Sequence, residues 1–121
     1  MDDLVEALAL LRRAAVLAAG IDDALTGTDL TVDRWRALHF VHQNPGCSMT
    51  DIVGALAVPS TSATRIIDAL AELGAIYRTV SQQDRRRTTL RSSSHGAELL
   101  RDAESAITPM VFLKESDPTP I

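Results

Sequence analysis

The sequence has little of what several classes of protein require. Only 3% of its 121 residues are aromatic, and Cys47 is the single cysteine. One cysteine excludes an internal disulfide framework, and the shortage of aromatic rings means that the core must be aliphatic. No Gly-rich phosphate loop, nucleophile elbow or motif of paired catalytic carboxylates is present, so the residues do not predict an enzyme or a cofactor.

Long apolar runs are also missing. The longest apolar stretch, from Leu4 to Ile21, is interrupted by Arg12 and Arg13, whereas a membrane-spanning helix needs about 20 consecutive apolar residues. The chain begins Met-Asp-Asp, without the positive charge and apolar segment of a secretory signal. We therefore expect a cytoplasmic protein that has no membrane partner.

Positive charge is concentrated in the middle of the chain. The net charge is −4, yet residues 34–91 contain eight arginines against four acidic residues, and the flanking segments are acidic. Such a segment attracts phosphate locally, while its acidic flanks limit non-specific binding. Ordinary charge scatter is the alternative, which charge alone does not exclude.

Three helices are predicted in the first half of the chain. Residues 3–21 carry two apolar stripes, which indicates a helix covered on more than one side. A second helix begins after the N-cap Thr31 and ends at residues 44–46, Asn-Pro-Gly. Ser48 and Asp51 have the spacing of a capping box and predict a short third helix that ends near residues 58–59.

The next segment predicts a helix with one apolar and one polar face. It runs from about Ser60 to Leu73, with Ser60 or Ser62 as its N-cap and a polar face that includes Arg65. Its apolar stripe, expected to be buried, consists of Ala63, Ile66, Ile67 and Leu70.

A hairpin and a last helix follow. Strands are expected at residues 75–80 and 88–91, joined by a loop at residues 81–87 that contains three arginines. Ser93 or Ser94 caps the final helix, and Pro109 should kink or end it.

Two short helices joined by a tight turn and followed by a basic hairpin are typical of a helix-turn-helix with a wing. The fold class is therefore mainly α (α+β): a winged helix-turn-helix with a two-stranded β-wing and flanking dimerisation helices. A polar helix bearing Arg65 can enter a major groove, and an arginine-rich loop can reach the adjacent minor groove. The predicted DNA-binding residues are Ser60, Thr61, Ser62, Thr64, Arg65, Arg78, Asp84, Arg85, Arg86 and Arg87.

The run from Leu30 to Gly96 resembles the multiple-antibiotic-resistance-regulator (MarR) family of transcription regulators. The segments that carry the resemblance are Thr31–Trp35, Ser48–Val53, Ser60–Leu70, Leu73–Arg78 and Asp84–Arg87. In the last of them an Asp is followed two residues later by Arg, as in the wing signature of the family. The resemblance implies that Arg86 enters the minor groove and that Asp84 orients it through an ion pair. It also implies a repressor released by a small aromatic or acidic effector.

We expect one domain, divided into an N-terminal dimerisation helix and turn (1–29), a DNA-binding region (30–92), a C-terminal dimerisation helix (93–113) and a frayed tail (114–121). The apolar stripes of the two outer helices exceed what a small monomer should expose, which predicts a homodimer on palindromic double-stranded DNA. The predicted interface residues are Leu4, Leu8, Leu11, Leu99, Leu100, Ala103 and Ile107.

Other interpretations stay open at this point. A winged helix can serve as a protein-interaction module without DNA. Arg65 has the spacing to pair with Asp68 or Glu72 on the same helix. His39 and His42 lie one helical turn apart, with Cys47 nearby, but a metal would need converging geometry, so no metal is predicted. Whether Cys47 senses redox state is also left open.

Overall fold

The computed structural model describes residues 2–116, which form five helices and one β-hairpin. The elements are α1 (Asp2–Ala24), α2 (Val32–Gln43), α3 (Met49–Leu56), α4 (Ser60–Glu72), β1 (Ile76–Val80), β2 (Thr88–Ser92) and α5 (Ser94–Ser116). Their order agrees with the predicted one. None of the helices in this range is long and apolar enough to cross a membrane.

Local capping signals define the starts of α2 and α3. The Thr31 hydroxyl accepts a hydrogen bond from the backbone N–H of Arg34 at 3.2 Å. At α3, the Ser48 hydroxyl accepts from the N–H of Asp51, and the Asp51 carboxylate accepts from the N–H of Ser48 at 2.9 Å. Both predicted caps are confirmed, and each satisfies N–H groups that have no partner within the helix.

The predicted serine cap of α4 is wrong. Pro59 occupies the N-cap position, with φ −59° and ψ 153°, and no side chain caps the helix. Proline fixes its own φ near this value and has no N–H to satisfy. Its carbonyl accepts the N–H of Ala63 at 3.0 Å. The helix therefore begins at Ser60, so Ser60 and Ser62 lie one and three residues past the N-cap position.

The core is aliphatic and lies between α2, α3, α4 and the hairpin. Leu38, Ile52, Ile67, Leu70 and Leu90 are each 0% exposed. Full burial of one such side chain contributes about 1.5–3 kcal/mol relative to exposure, so these contacts fix the orientation of α4 within the domain.

The hairpin is tied to the turn before α3 by a contact that sequence patterns did not predict. Strands β1 and β2 are antiparallel, with Ile76 opposite Ser92 and Val80 opposite Thr88. In addition, the N–H of Gly46 donates to the carbonyl of Leu90, and the N–H of Leu90 donates to the carbonyl of Cys47, both at 2.8 Å. The base of the hairpin is thereby held against the helices.

Helix α5 begins at its predicted cap but extends further than predicted at its C-terminal end. It begins after Ser93, whose hydroxyl accepts the N–H of Gly96 at 2.9 Å, and it continues past Pro109 to Ser116. Of the tail predicted at residues 114–121, residues 117–121 lie outside the described part of the chain.

Three of the residues predicted for the dimer interface lie instead in the core of the single chain. Leu100, Ala103 and Ile107 are 3%, 1% and 4% exposed, because α5 packs against α1 and α2 of its own chain. They have almost no surface left for a partner. Leu99 is half-buried and packs at the edge of this core.

Candidate nucleic-acid interface

Helix α4 is held by its apolar face and presents a polar face to solvent. Three residues join it to α3, the first of which, Ala57, adopts a left-handed conformation with φ 55°. Within the predicted stripe, Ala63, Ile67 and Leu70 are fully buried and Ile66 is half-buried. This arrangement is a helix-turn-helix, and α4 is its second helix.

The opposite face of α4 carries the predicted polar residues. Ser60, Thr61, Thr64 and Arg65 are exposed, whereas Ser62 is half-buried. The Thr64 hydroxyl donates to the carbonyl of Ser60 at 2.9 Å, so its oxygen is left to accept a hydrogen bond from a ligand. The face thus offers hydroxyl groups and one guanidinium, the groups that recognise base edges and phosphates.

Asp68, one turn beyond Arg65 on α4, pairs with a residue of the hairpin. Its Oδ1 accepts a hydrogen bond from Nη2 of Arg78 on β1. Among the described residues, Arg65 takes part in no ion pair. The structure therefore joins α4 to the hairpin through Arg78 and leaves Arg65 directed to solvent.

The loop between the strands brings Asp84 and Arg86 together. The Asp84 carboxylate accepts the backbone N–H of Arg86 at 3.0 Å and lies 3.6 Å from Nε of the Arg86 side chain, which is 95% exposed. Two backbone hydrogen bonds close the loop, from Ser81 N–H to Arg87 and from Arg87 N–H to Asp84. Arg85 and Arg87 are also exposed, so three guanidinium groups extend from one short loop.

A further arginine connects α2 to the end of α3, and no sequence pattern pointed to it. Nη2 of Arg36 donates to the carbonyl of Leu56 at 2.9 Å, and Nη1 lies 3.4 Å from Oδ1 of Asp33. The carbonyl groups at a helix C-terminus lack partners within the helix. By donating to one of them, Arg36 attaches the C-terminal end of α3 to α2.

Two ionisable groups at the start of α3 have shifted pKa values. The hydrogen bond from the Ser48 N–H, followed by that from the Ser48 hydroxyl, lowers the pKa of Asp51, and the charge of Arg87 acts in the same direction. Burial, and then the charge of Asp51, raise the pKa of the Cys47 thiol. Cys47 is 6% exposed, and such a thiol is a weak nucleophile at neutral pH.

Helix α1 carries an apolar stripe that the described part of its own chain does not cover. Leu4, Leu8 and Leu11 are each 67% exposed, and Val5 is 66% exposed. The leucines follow one another at helical spacing, so they lie on one face. Ile21 is the one buried residue of α1.

A cavity of about 520 Å³ lies between α1 and α2. Its lining is mostly apolar, with Trp35, Arg36 and Asp33 as its polar members; the other lining residues are Ala14, Leu17, Ala18, Ile21, Val32 and Val111. The buried Nε1 of Trp35 has no hydrogen-bond partner among the described residues.

The histidines considered for a metal have separate partners: Nδ1 of His39 lies 4.0 Å from Glu104, and Nδ1 of His42 lies 3.0 Å from the Ser92 hydroxyl.

Known proteins resemble this chain in both sequence and fold. The model of the MarR family matches residues 28–87. The transcriptional regulator PetP of Rhodobacter capsulatus is 31% identical over 71 residues, which are 59% of this chain and 43% of PetP. The match therefore spans less than half of the length of that relative.

Solved structures give the fold over nearly the whole chain. A MarR-family transcriptional regulator from Rhodococcus sp. RHA1 superposes with a TM-score of 0.85 and 19% identity, over 99% of this chain and 84% of the other. The repressor CouR, solved on a 23-mer DNA duplex, gives a TM-score of 0.83 and 24% identity, over 99% and 86%. CouR from Rhodococcus jostii RHA1 has also been solved with p-coumaroyl-CoA, with 22% identity and a TM-score of 0.76, over 83% and 71%. The predicted winged helix fold is confirmed by these likenesses.

Proposed function

The chain belongs to the MarR family of transcription regulators, and we propose that it is a sequence-specific DNA-binding repressor, not an enzyme, which acts as a homodimer. The observation that carries the proposal is the pairing of two surfaces. One is the polar face of α4, and the other is the hairpin loop in which Asp84 holds Arg86.

In this proposal α4 lies in the major groove and the loop lies in the adjacent minor groove. Thr61, Ser62, Thr64 and Arg65 contact base edges and phosphates, and Ser60 contacts the backbone at the start of the helix. Arg86 enters the minor groove, where the potential is most negative, while Arg85 and Arg87 neutralise phosphates. Because Asp84 already restricts the Arg86 side chain, less conformational freedom is lost on binding.

The second subunit covers the apolar stripe of α1. Leu4, Leu8 and Leu11 present apolar surface that has no partner among the described residues of the single chain, and exposed apolar patches of this kind mark interaction surfaces. A two-fold axis near α1 places one α4 and one hairpin loop on each side of the dimer, so each half-site of a palindromic operator contacts one α4. The half-sites are then about 34 Å apart, one turn of DNA.

A small aromatic or acidic effector binds the cavity between α1 and α2. Its apolar lining suits an aromatic ring, and the Arg36 guanidinium supplies donors for an acidic group. Arg36 also holds the end of α3, so an effector that draws its guanidinium away loosens the helix-turn-helix. The binding of p-coumaroyl-CoA by the related CouR supports this class of ligand.

DNA binding is tested by selecting bound duplexes from a random pool and measuring affinity for the selected duplex against salt concentration. We expect a palindromic consensus and a steep decrease in affinity with salt. Arg85→Ala should reduce the salt slope by about one unit, as expected for one lost phosphate contact. Arg101→Ala is the matched control, because Arg101 is an exposed arginine on α5, outside the proposed interface.

Failure to select any consensus, together with salt-independent weak binding, would contradict the proposal and favour a protein-interaction module. The effector is tested separately through Trp35, the single tryptophan, whose fluorescence should change with added aromatic acids. Ala18→Phe, which fills part of the cavity, should abolish that change while operator binding persists. An unchanged response in this variant would place the effector elsewhere.

A further inference from the structure

The ion pair between Arg78 and Asp68 has a position that a simple DNA contact does not explain. Arg78 lies in the middle of β1, directly opposite Leu90 of β2. Residues opposite each other in an antiparallel pair point to the same face of the sheet, and Leu90 is 0% exposed. Arg78 is therefore on the face that the hairpin turns toward the protein.

Asp68 is the partner that meets Arg78 from α4. It lies three residues after Arg65 and seven after Thr61, so it shares the exposed face of the helix with the proposed reading residues. An unpaired carboxylate at this place would repel DNA phosphates. The guanidinium of Arg78 neutralises it.

Within residues 2–111, the Arg78–Asp68 pair is also the ion pair or side-chain hydrogen bond between α4 and the hairpin that lies nearest to the tip of the hairpin. At the base of the hairpin, Ile76 and Leu90 are buried. Beyond Arg78, Val80 is 60% exposed, and its partner Thr88 is also exposed. Relative to α4, the direction of the loop that carries Arg86 therefore depends on the hairpin base and on this ion pair, while the charge of Arg87 acts on Asp51 of α3.

We propose that Arg78 and Asp68 are positioning residues, which set the angle between α4 and the wing so that both grooves are read together. This proposal rests on the proposed DNA-binding function. Arg78 acts through Asp68 and does not contact a phosphate. The pair is half exposed, so its effect on the stability of the free protein is small, whereas its effect on the geometry at the tip of the wing is large.

The test compares the neutral variants Asp68→Asn and Arg78→Gln on two duplexes. One duplex contains the full selected site, and the other is shortened so that it lacks the flanks that Arg86 reaches. The wild-type protein should bind the full duplex about 10-fold more tightly than the short one. Each variant should lose most of this preference, yet bind the short duplex with the wild-type affinity. A mere loss of folded protein would weaken binding to both duplexes.

Glu72→Gln is the matched control. Glu72 is an exposed acid at the end of α4 and is in none of the ion pairs among the described residues. Its loss removes the same charge from the same helix, so it should leave the preference for the full duplex intact. The double variant Asp68→Asn with Arg78→Gln should be no worse than either single variant, because both act through one contact.

Two results would overturn the positioning role. One is a tighter affinity of Asp68→Asn for the full duplex, which is expected if the carboxylate only repels DNA. The other is a salt slope that falls by about one unit in Arg78→Gln, which is the signature of a lost phosphate contact. If the wild-type protein selects no duplex at all, the proposed function itself fails, a result distinct from these two.

Discussion

Helices α4 and α1 are both amphipathic in sequence, but only α4 has its apolar residues covered. In α4, Ala63, Ile67 and Leu70 are each 0% exposed, whereas Leu4 and Leu8 of α1 are each 67% exposed. The polar face of α4 is what remains for a ligand, and in α1 the apolar face is what remains. The two helices therefore call for different partners, since a polar, arginine-bearing face suits DNA and an apolar stripe suits another apolar surface.

Among substitutions that add a single methyl group, the largest loss of stability should come at Gly96, which allows α5 to approach the segment after α4. A Cβ built at Gly96 would lie 2.0 Å from the carbonyl oxygen of Ala75, a buried residue. Gly96→Ala should lower the free energy of unfolding by about 3 kcal/mol, because a backbone atom must move. Urea denaturation measures the change.

Gly54→Ala is the control for the glycine substitution itself. Gly54 lies within α3, and nothing is within 4 Å of a Cβ built there. The change should raise the free energy of unfolding by up to about 1 kcal/mol, since alanine is the better helix former. If Gly96→Ala and Gly54→Ala changed the free energy of unfolding by the same amount, α5 would not approach Ala75 as closely as the structure indicates.

The second prediction tests the exposed stripe of α1. Leu8→Asp should weaken self-association by at least about 100-fold, because a two-fold interface contains the substitution twice and each buried leucine contributes about 1.5–3 kcal/mol. Sedimentation equilibrium measures the dissociation constant, and circular dichroism should show an intact fold.

Ile67→Asp provides the contrast between the two helices. It places a charge in the core and should unfold the protein, whereas Leu8→Asp should not. A wild-type protein that sediments as a monomer at micromolar concentration, both alone and with its DNA, would contradict the dimer.

The sequence predicted the local elements well, because their signals lie within a few residues. The capping interactions of Thr31, Ser48 and Ser93 and the buried stripe of α4 all follow from spacing. The contact of Gly46 and Cys47 with Leu90 escaped prediction because its partners are far apart in the chain.

The candidate site was predicted in its residue types but less well in its contacts. Arg78 was expected to face DNA, yet in the structure it meets Asp68. That pairing depends on which face of β1 turns toward α4, which no local pattern specifies. Likewise, Leu100 and Ile107 form a stripe that could cover either another subunit or the chain's own core. Only the packing of α5 against α1 and α2 decides between them.

A smaller effect is expected at the tip of the wing. Asp84→Ala should weaken operator binding by about 3- to 10-fold, as expected when Arg86 loses the carboxylate that accepts its backbone N–H and forms an ion pair with its guanidinium. Simple electrostatics predicts the opposite sign, because the change removes a negative charge near DNA. Fluorescence anisotropy at moderate salt distinguishes the two.

Arg86→Ala should weaken operator binding more than Asp84→Ala does. Its loss of affinity should be greatest for operators with A·T-rich flanks, where the minor groove is narrow. A tighter affinity of Asp84→Ala would show that Asp84 does not orient Arg86 for binding.

The smallest expected effect concerns Asp51, at the start of the helix that supports α4. The hydrogen bonds from the Ser48 N–H and the Ser48 hydroxyl lower the pKa of Asp51 from its ordinary value of 3.8. A group whose pKa is lower in the folded state stabilises the fold above its unfolded pKa, and this contribution is lost as the pH falls through the folded pKa. The difference in stability between the wild-type protein and Asp51→Asn should therefore be constant near neutral pH and should narrow below a pH of about 4. Thermal denaturation across this pH range measures the difference in stability.

Ser48→Ala is the informative comparison, because it keeps the backbone N–H that is the largest cause of the lowered pKa of Asp51. The stability of that variant should therefore still depend on the ionisation of Asp51. If the gap between wild-type and Asp51→Asn widened in acid, the carboxylate would be destabilising the capping box, and the contact would have the opposite sign from the one that the geometry indicates.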